Sequence, residues 1–356
     1  MVKNLLLFTF LAFSAHSWGY ERVSGEVPAT LQTFDGVSLS AIWTIPNVDP
    51  KAVAVILPGS GNVGLDGDVS SPPLGYGYKG QEAKLSQQVA ATLAQAGVAS
   101  LRYSKRGFED AAQLANQTMP YLLKDAESAM TMARQRFAQA KIIYIGFSEG
   151  ASLALKAATE NPVDALFLFG PPTRAIDDIV AYQAIEWPLE VLRTQVDADS
   201  DGILTANELA VLSGLPGYSL LGMTWQELDT NGDGALTIET EGVVGYRKFH
   251  SIFMTLLQGP GFGPWFKSLQ EFPSFSSLAT QIKAPTYIYQ ALDDAQINAS
   301  WAVADASYFS NLAALRTFAG FGHCFSPMDG AAGEIKTSGP IDARVLQALL
   351  DDVQAL

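Results

Sequence analysis

Short apolar runs alternate with segments of helical spacing along this chain, and that rhythm most narrows the folds open to it. The runs are Ala52 to Leu57, Val98 to Tyr103, Lys141 to Phe147, Val163 to Phe169, Thr286 to Ala291 and Leu312 to Phe318. Most lack a polar face and stop at a Gly, Pro or Ser turn, as strands buried on both sides do. Helical spacing fills the intervals at 81–96, 121–138, 148–160, near 298–310 and 341–355. Strands alternating with helices of this length predict an α/β fold, a mostly parallel sheet with helices on both faces. Residues 24–46 alternate apolar and polar positions, as antiparallel edge strands do. Over 173–280 the rhythm breaks into Asp- and Gly-rich loops and aromatics without a buried strand. The expected organisation is therefore a core of 24–172 and 281–356, with 173–280 inserted as a cap.

Composition bounds the partners. With 48% apolar and 16% charged residues, the chain buries a sizeable core. A net charge of −14 argues against nucleic acid or an anionic membrane and is compatible with divalent cations. The N-terminus has the form of a signal peptide over 1–17. Lys3 supplies a positive start, Leu5 to Ala15 an apolar stretch too short to span a bilayer comfortably, and Ala15-His16-Ser17 a small-residue cleavage site. A secreted or periplasmic location is expected. Cys324 is the only cysteine, so no intrachain disulfide can form; it reads as a small buried hydrophobe.

Gly146-Phe147-Ser148-Glu149-Gly150 fits G-x-S-x-G at the point where an apolar run ends and a helix begins. Such a sharp turn needs glycine on both flanks and lifts the serine hydroxyl above the sheet. A serine nucleophile needs a base. Of three histidines, His16 leaves with the signal and His250 lies in the inserted block, where a structural role is expected. His323, just after the last strand, is the expected base. Asp293 and Asp294 follow the strand ending at Ala291. Being adjacent, only one can face the imidazole, and the spacing favours Asp294. Oxyanion donors are expected from the backbone N–H of Glu149 and of Ser60, within Pro58-Gly59-Ser60-Gly61.

These pieces, with Leu101-Arg102-Tyr103-Ser104-Lys105-Arg106-Gly107 and Gly322-His323, resemble the α/β-hydrolase superfamily, especially its bacterial esterase and serine-aminopeptidase-like members. The resemblance spans most of 24–172 and 281–356. Pro58 stands where many relatives have His, Ser104 where Asp is usual and Ala291 where Gly is usual. The resemblance implies ester, thioester or amide hydrolysis through an acyl-enzyme, without a redox cofactor, and a mainly structural role for the 101–107 segment.

The inserted block carries a second pattern. Asp197, Asp199 and Asp201, then Gly202, Ile203, Thr205 and Glu208, match a twelve-residue EF-hand loop: carboxylates at positions 1, 3 and 5, a glycine turn, the Ile203 carbonyl, Thr205 and a bidentate Glu208. A second copy follows, with Asp229, Asn231, Asp233, Gly234, the Ala235 carbonyl and Thr237. Its twelfth position is Thr240, and Glu241 stands one residue late as the substitute carboxylate. Paired loops of this kind join through their eighth residues, here Leu204 and Leu236. Calcium is the expected ion, holding the cap together, with the second loop the weaker site.

Other patterns carry less. Gly75-Tyr-Gly77-Tyr-Lys-Gly80 fits G-x-G-x-x-G but follows a loop, so no dinucleotide is implied. Two mature histidines and one cysteine provide no zinc site. Trp187, Trp225, Phe262, Trp265 and Phe266 serve either an acyl pocket or core packing. The sequence thus predicts an exported serine hydrolase acting on a small ester or acyl substrate. An amide hydrolase of the same fold and a non-catalytic calcium-binding module are the alternatives.

Overall fold

The structure, a computed structural model, describes residues 25–68, 84–213, 223–327 and 340–356, without the side chains of 211–213. The expected signal peptide and the G-x-G-x-x-G segment lie outside these residues.

Strands β1 (Glu26–Gln32) and β2 (Ser38–Thr44) form a hairpin that pairs antiparallel onto β4 (Val98–Tyr103). From there the sheet runs parallel through β3 (Ala52–Leu57), β5 (Lys141–Phe147), β6 (Ala165–Phe169), β9 (Thr286–Ala291) and β10 (Leu312–Phe318). The strand order is β1-β2-β4-β3-β5-β6-β9-β10. Every central strand read from its apolar run is present. The fourth run starts two residues later, at Ala165, after the exposed Asp164, whose carboxylate accepts from the Ile142 amide at 2.7 Å.

Side chains alternate across the pleat. Val53, Val55 and Leu57 face one layer, formed by α2 (Met119–Arg136) and α3 (Glu149–Glu160). Ala54 and Ile56 face the other, formed by α1 (Leu85–Gln95) and α12 (Ala343–Gln354). Both faces are thereby covered, as runs without a polar side require.

β6 and β9 are sheet neighbours, yet about a hundred residues separate them in sequence. Among the described residues, the regular structure of that inserted segment is mostly helical: α4 (Ile176–Ala181), α5 (Trp187–Val191), α6 (Ala206–Ser213), α7 (Trp225–Leu228), α8 (Val243–Leu257), α9 (Gly263–Gln270) and α10 (Phe275–Ala279). Its strands are the two-residue β7 (Ile203–Leu204) and β8 (Leu236–Thr237). Beyond β9, α11 (Ala299–Asp305) ends in a tight 3₁₀ turn at Ala306–Tyr308, where a longer helix was expected. No helix among the described residues is long and apolar enough to cross a membrane.

Candidate active site

Ser148 lies between the end of β5 and the first residue of α3, with φ 49° and ψ −119°. A side chain rarely adopts this backbone, which costs about 1–3 kcal/mol and persists only where the surroundings impose it. Here they do. A Cβ on Gly146 would stand 2.3 Å from the Gly150 carbonyl oxygen, and one on Gly150 would stand 2.3 Å from that of Leu57. Both glycines of the motif are required by close approach. The Ser148 amide donates to the Phe169 carbonyl at the end of β6, 2.8 Å away.

The next residue, Gly170, connects Ser148 to the expected base. With φ 53°, it lies so near His323 that a Cβ would meet the ring Cε1 at 3.0 Å and Nδ1 at 3.2 Å. His323 Nδ1 is 2.7 Å from Asp294 Oδ2. A carboxylate that is ionised only accepts, so Nδ1 carries the proton, and in the neutral imidazole Nε2 keeps its lone pair. The His323 side chain is 10% exposed and that of Asp294 fully buried, which shields their hydrogen bond from water. Asp294 is itself held at several points. Its Oδ1 accepts from the amides of Gln296 and Ile297 at 2.8 and 2.9 Å, and its Oδ2 accepts from Gln290 Nε2 at 3.2 Å. Asp293 turns elsewhere and caps the Gly320 amide at 2.6 Å. Cys324, beside the base, is buried, and burial together with the Asp294 charge pushes its thiol up to about 12.

Ser60 and Glu149 occupy the flanking turns. Gly59 packs on Ser148, where a Cβ would stand 3.5 Å from that of the serine. Glu149 opens α3, where the first amides lack partners within the helix. Its side chain is buried and paired with Lys105, Oε1 to Nζ 2.5 Å, and its Oε2 accepts from Trp265 Nε1 at 2.6 Å. Lys105 Nζ also donates to the Gly59 carbonyl at 3.0 Å. These contacts of Glu149 and Lys105 are not expected from local pattern; the signal for them is Ser104-Lys105-Arg106, three successive polar or cationic residues after a buried strand. Arg102 and Arg106 do behave structurally. The first is buried against Glu26 and Asp66, and the second bridges Asp35 and Asp125. Arg106 draws the Asp35 carboxyl from 3.8 down to about 2.

The aromatics of the inserted segment divide. Trp187 and Phe266 are buried in local cores, and Trp225 and Phe262 pack against those cores. Trp265 also borders a core but turns its indole N–H to the Glu149 carboxylate, next to Ser148. His250 sits half-buried on α8, and its Nε2 has no hydrogen-bond partner among the described residues. Two further contacts tie the inserted segment to the acid loop: Tyr182 Oη donates to the Asp294 carbonyl and Gln183 Nε2 to that of Gln296, both at 3.0 Å.

The two acidic loops lie side by side. β7 and β8 pair antiparallel with Leu204 opposite Leu236, both fully buried. In the first loop, Asp197, Asp199 and Glu208 offer ligand atoms within 4.8 Å of one another. Oxygens on one calcium ion at about 2.4 Å each span up to about that distance, so this hard-oxygen set fits the ion. Gly202, at φ 81°, makes the turn. Glu208 accepts from the amides of Ala198 (3.0 Å) and Thr205 (2.9 Å). In the second loop Glu241 accepts from the equivalent amides of Thr230 and Thr237, both at 3.0 Å. The late residue reaches the same place because Ile238–Gly242 winds as a π-turn, which accommodates one more residue than an α-turn. Asp229, Asn231 and Asp233 line that loop, their side-chain oxygens accepting from its amides.

Comparison with known proteins agrees with this geometry at the level of fold. Residues 78–198, less than half of the chain, match the family model described as serine aminopeptidase, S33. Among solved structures, Est1E from Butyrivibrio proteoclasticus, with ferulic acid bound, is 16% identical at a TM-score of 0.51, covering 92% of this chain and 96% of its own. The esterase domain of a Rhodothermus marinus protein is 14% identical, with 93% and 98% coverage and a TM-score of 0.51. A thermostable carboxyl esterase from Bacillus coagulans in complex with glycerol is 11% identical, with 94% and 98% coverage and a TM-score of 0.51. A search of curated proteins returned no match. The chain has the α/β-hydrolase fold.

Proposed function

We propose that this chain is a serine hydrolase that cleaves carboxylic esters through an acyl-enzyme, with Ser148, His323 and Asp294 as its triad. The carrying observation is the buried 2.7 Å His323–Asp294 pair, set against Gly170 at the strand end to which the strained Ser148 is bonded. In this reading His323 Nε2 accepts the Ser148 hydroxyl proton as Oγ attacks the ester carbonyl. Asp294 holds the ring in the tautomer that permits this. The amides of Ser60 and Glu149 receive the developing oxyanion. The proton then passes from His323 to the departing alcohol. Water repeats the sequence on the acyl-enzyme and releases the acid.

The match to a serine aminopeptidase model favours an amide substrate as second reading. Against an aminopeptidase, the carboxylates of Glu149 and Asp294 are engaged by Lys105 with Trp265 and by His323, so neither receives a substrate ammonium group. Parallel assay of p-nitrophenyl esters and aminoacyl anilides separates the two.

The inserted segment is proposed to act as a cap held by calcium. Asp197, Asp199, Asp201, Thr205, Glu208 and the Ile203 carbonyl would hold one ion. Asp229, Asn231, Asp233, Glu241 and the Ala235 carbonyl would hold a second. Bound calcium would offset repulsion among these carboxylates. The apolar stretch Leu5 to Ala15 supports export to the periplasm or beyond.

The deciding experiment is labelling with a fluorophosphonate probe. Wild-type protein is expected to label and Ser148→Ala to remain unlabelled. An inert wild type would move the reading to a non-catalytic calcium-binding protein.

A further inference from the structure

Lys105 and Glu149 are buried side chains that no step above uses. Their side chains are 1% and 2% exposed, and they form an ion pair of 2.5 Å between Nζ and Oε1. A buried pair of this kind is weak evidence for stability, because desolvating both charges offsets much of their attraction. Its position is more informative. Lys105 Nζ also donates to the Gly59 carbonyl at 3.0 Å, and Glu149 Oε2 accepts from the Trp265 indole at 2.6 Å.

Gly59 carbonyl and Ser60 amide belong to one peptide unit. Among the described residues there are no cis peptide bonds, so this unit is trans, with its C=O and N–H pointing to opposite sides. Holding the carbonyl from the Lys105 side therefore fixes the Ser60 N–H on the other. The same ammonium holds the side chain of Glu149, whose own N–H is the second proposed donor. One cation thus touches both residues that frame the oxyanion site. The far carboxylate oxygen receives the indole of Trp265, on α9 of the inserted segment.

Resting on the serine-hydrolase reading, we infer that Lys105, Glu149 and Trp265 form a positioning strut behind the oxyanion hole. Lys105 aligns the Ser60 and Glu149 amides, and Trp265 ties that alignment to the seated cap. None of the three side chains touches the reacting atoms. Pre-aligned donors act where charge develops, so the strut contributes in the transition state more than in substrate binding.

Removing Lys105 alone would strand a buried carboxylate, so the test uses Lys105→Met/Glu149→Gln, whose amide oxygen still accepts from Trp265. Substrate turnover and inhibition by a trifluoromethyl ketone, whose hemiketal oxyanion occupies the hole, are measured beside thermal melting. The folded double variant is expected to lose about 10- to 100-fold in kcat, with KM within about threefold. Its ketone affinity should fall in parallel with kcat. Trp265→Phe should lose less, with the same split, and decides the question if the double variant does not fold. A folded variant whose kcat and ketone affinity stay within about twofold of wild type overturns the inference while leaving the hydrolase reading intact. A wild type that neither turns over ester nor labels with fluorophosphonate overturns both.

Discussion

Asp293 and Asp294 are adjacent and chemically identical, and their surroundings give them different work. Asp294 is buried, collects two backbone amides and the Gln290 amide, and faces His323. Asp293 caps the Gly320 amide. A neutral amide at 294 would favour the wrong imidazole tautomer, so Asp294→Asn is expected to lower kcat by roughly 10³–10⁴-fold. Asp293→Asn should cost about 1 kcal/mol or less of stability, through a weakened hydrogen bond, and leave kcat within about tenfold. Steady-state kinetics and thermal melting on the two variants check both. Equal kinetic losses would show that the acid has been misassigned.

At the scale of elements, the second acidic loop shows how backbone geometry accommodates an insertion. Thr205 and Glu208 are three residues apart and join through an α-turn, whereas Thr237 and Glu241 are four apart and join through the π-turn at Ile238–Gly242. The carboxylates meet equivalent amides, so Glu241, and not Thr240, would complete the second calcium shell. Glu241→Gln is expected to lose the weaker of two binding steps in terbium luminescence titration, with Thr240→Ala retaining both. Retention of both steps in Glu241→Gln would remove that residue from the shell.

Across the whole molecule, the acidic loops and the loop that carries Asp294 share a packed core. Leu204 and Leu236 cluster with Trp187, Leu192, Tyr246 and Ala295, and Ala295 is the residue after Asp294. Tyr182 and Gln183 bond to the same acid loop. Loosening the loops would therefore reach the proposed triad through apolar packing. Chelation is expected to lower the melting temperature by about 2–5 °C and to reduce kcat, with both restored by millimolar calcium. Unchanged melting and activity in chelator would assign the loops no ion.

Much of this was legible from local pattern. The apolar runs located the central strands because burial on both faces leaves no room for polar residues. Gly146 and Gly150 located the sharp turn at Ser148 because any side chain there would strike backbone. The choice between Asp293 and Asp294, suggested by spacing, is supported by the direction in which each carboxylate turns, Asp294 toward His323 and Asp293 toward the Gly320 amide. Tertiary structure alone decided the rest. Lys105 precedes Glu149 by 44 residues and Trp265 follows it by 116. No sequence period relates residues so far apart. Only the stacking of β4, β3 and β5 and the return of α9 over the sheet bring an ammonium, a carboxylate and an indole to one buried point, where low polarity makes their partnership obligatory.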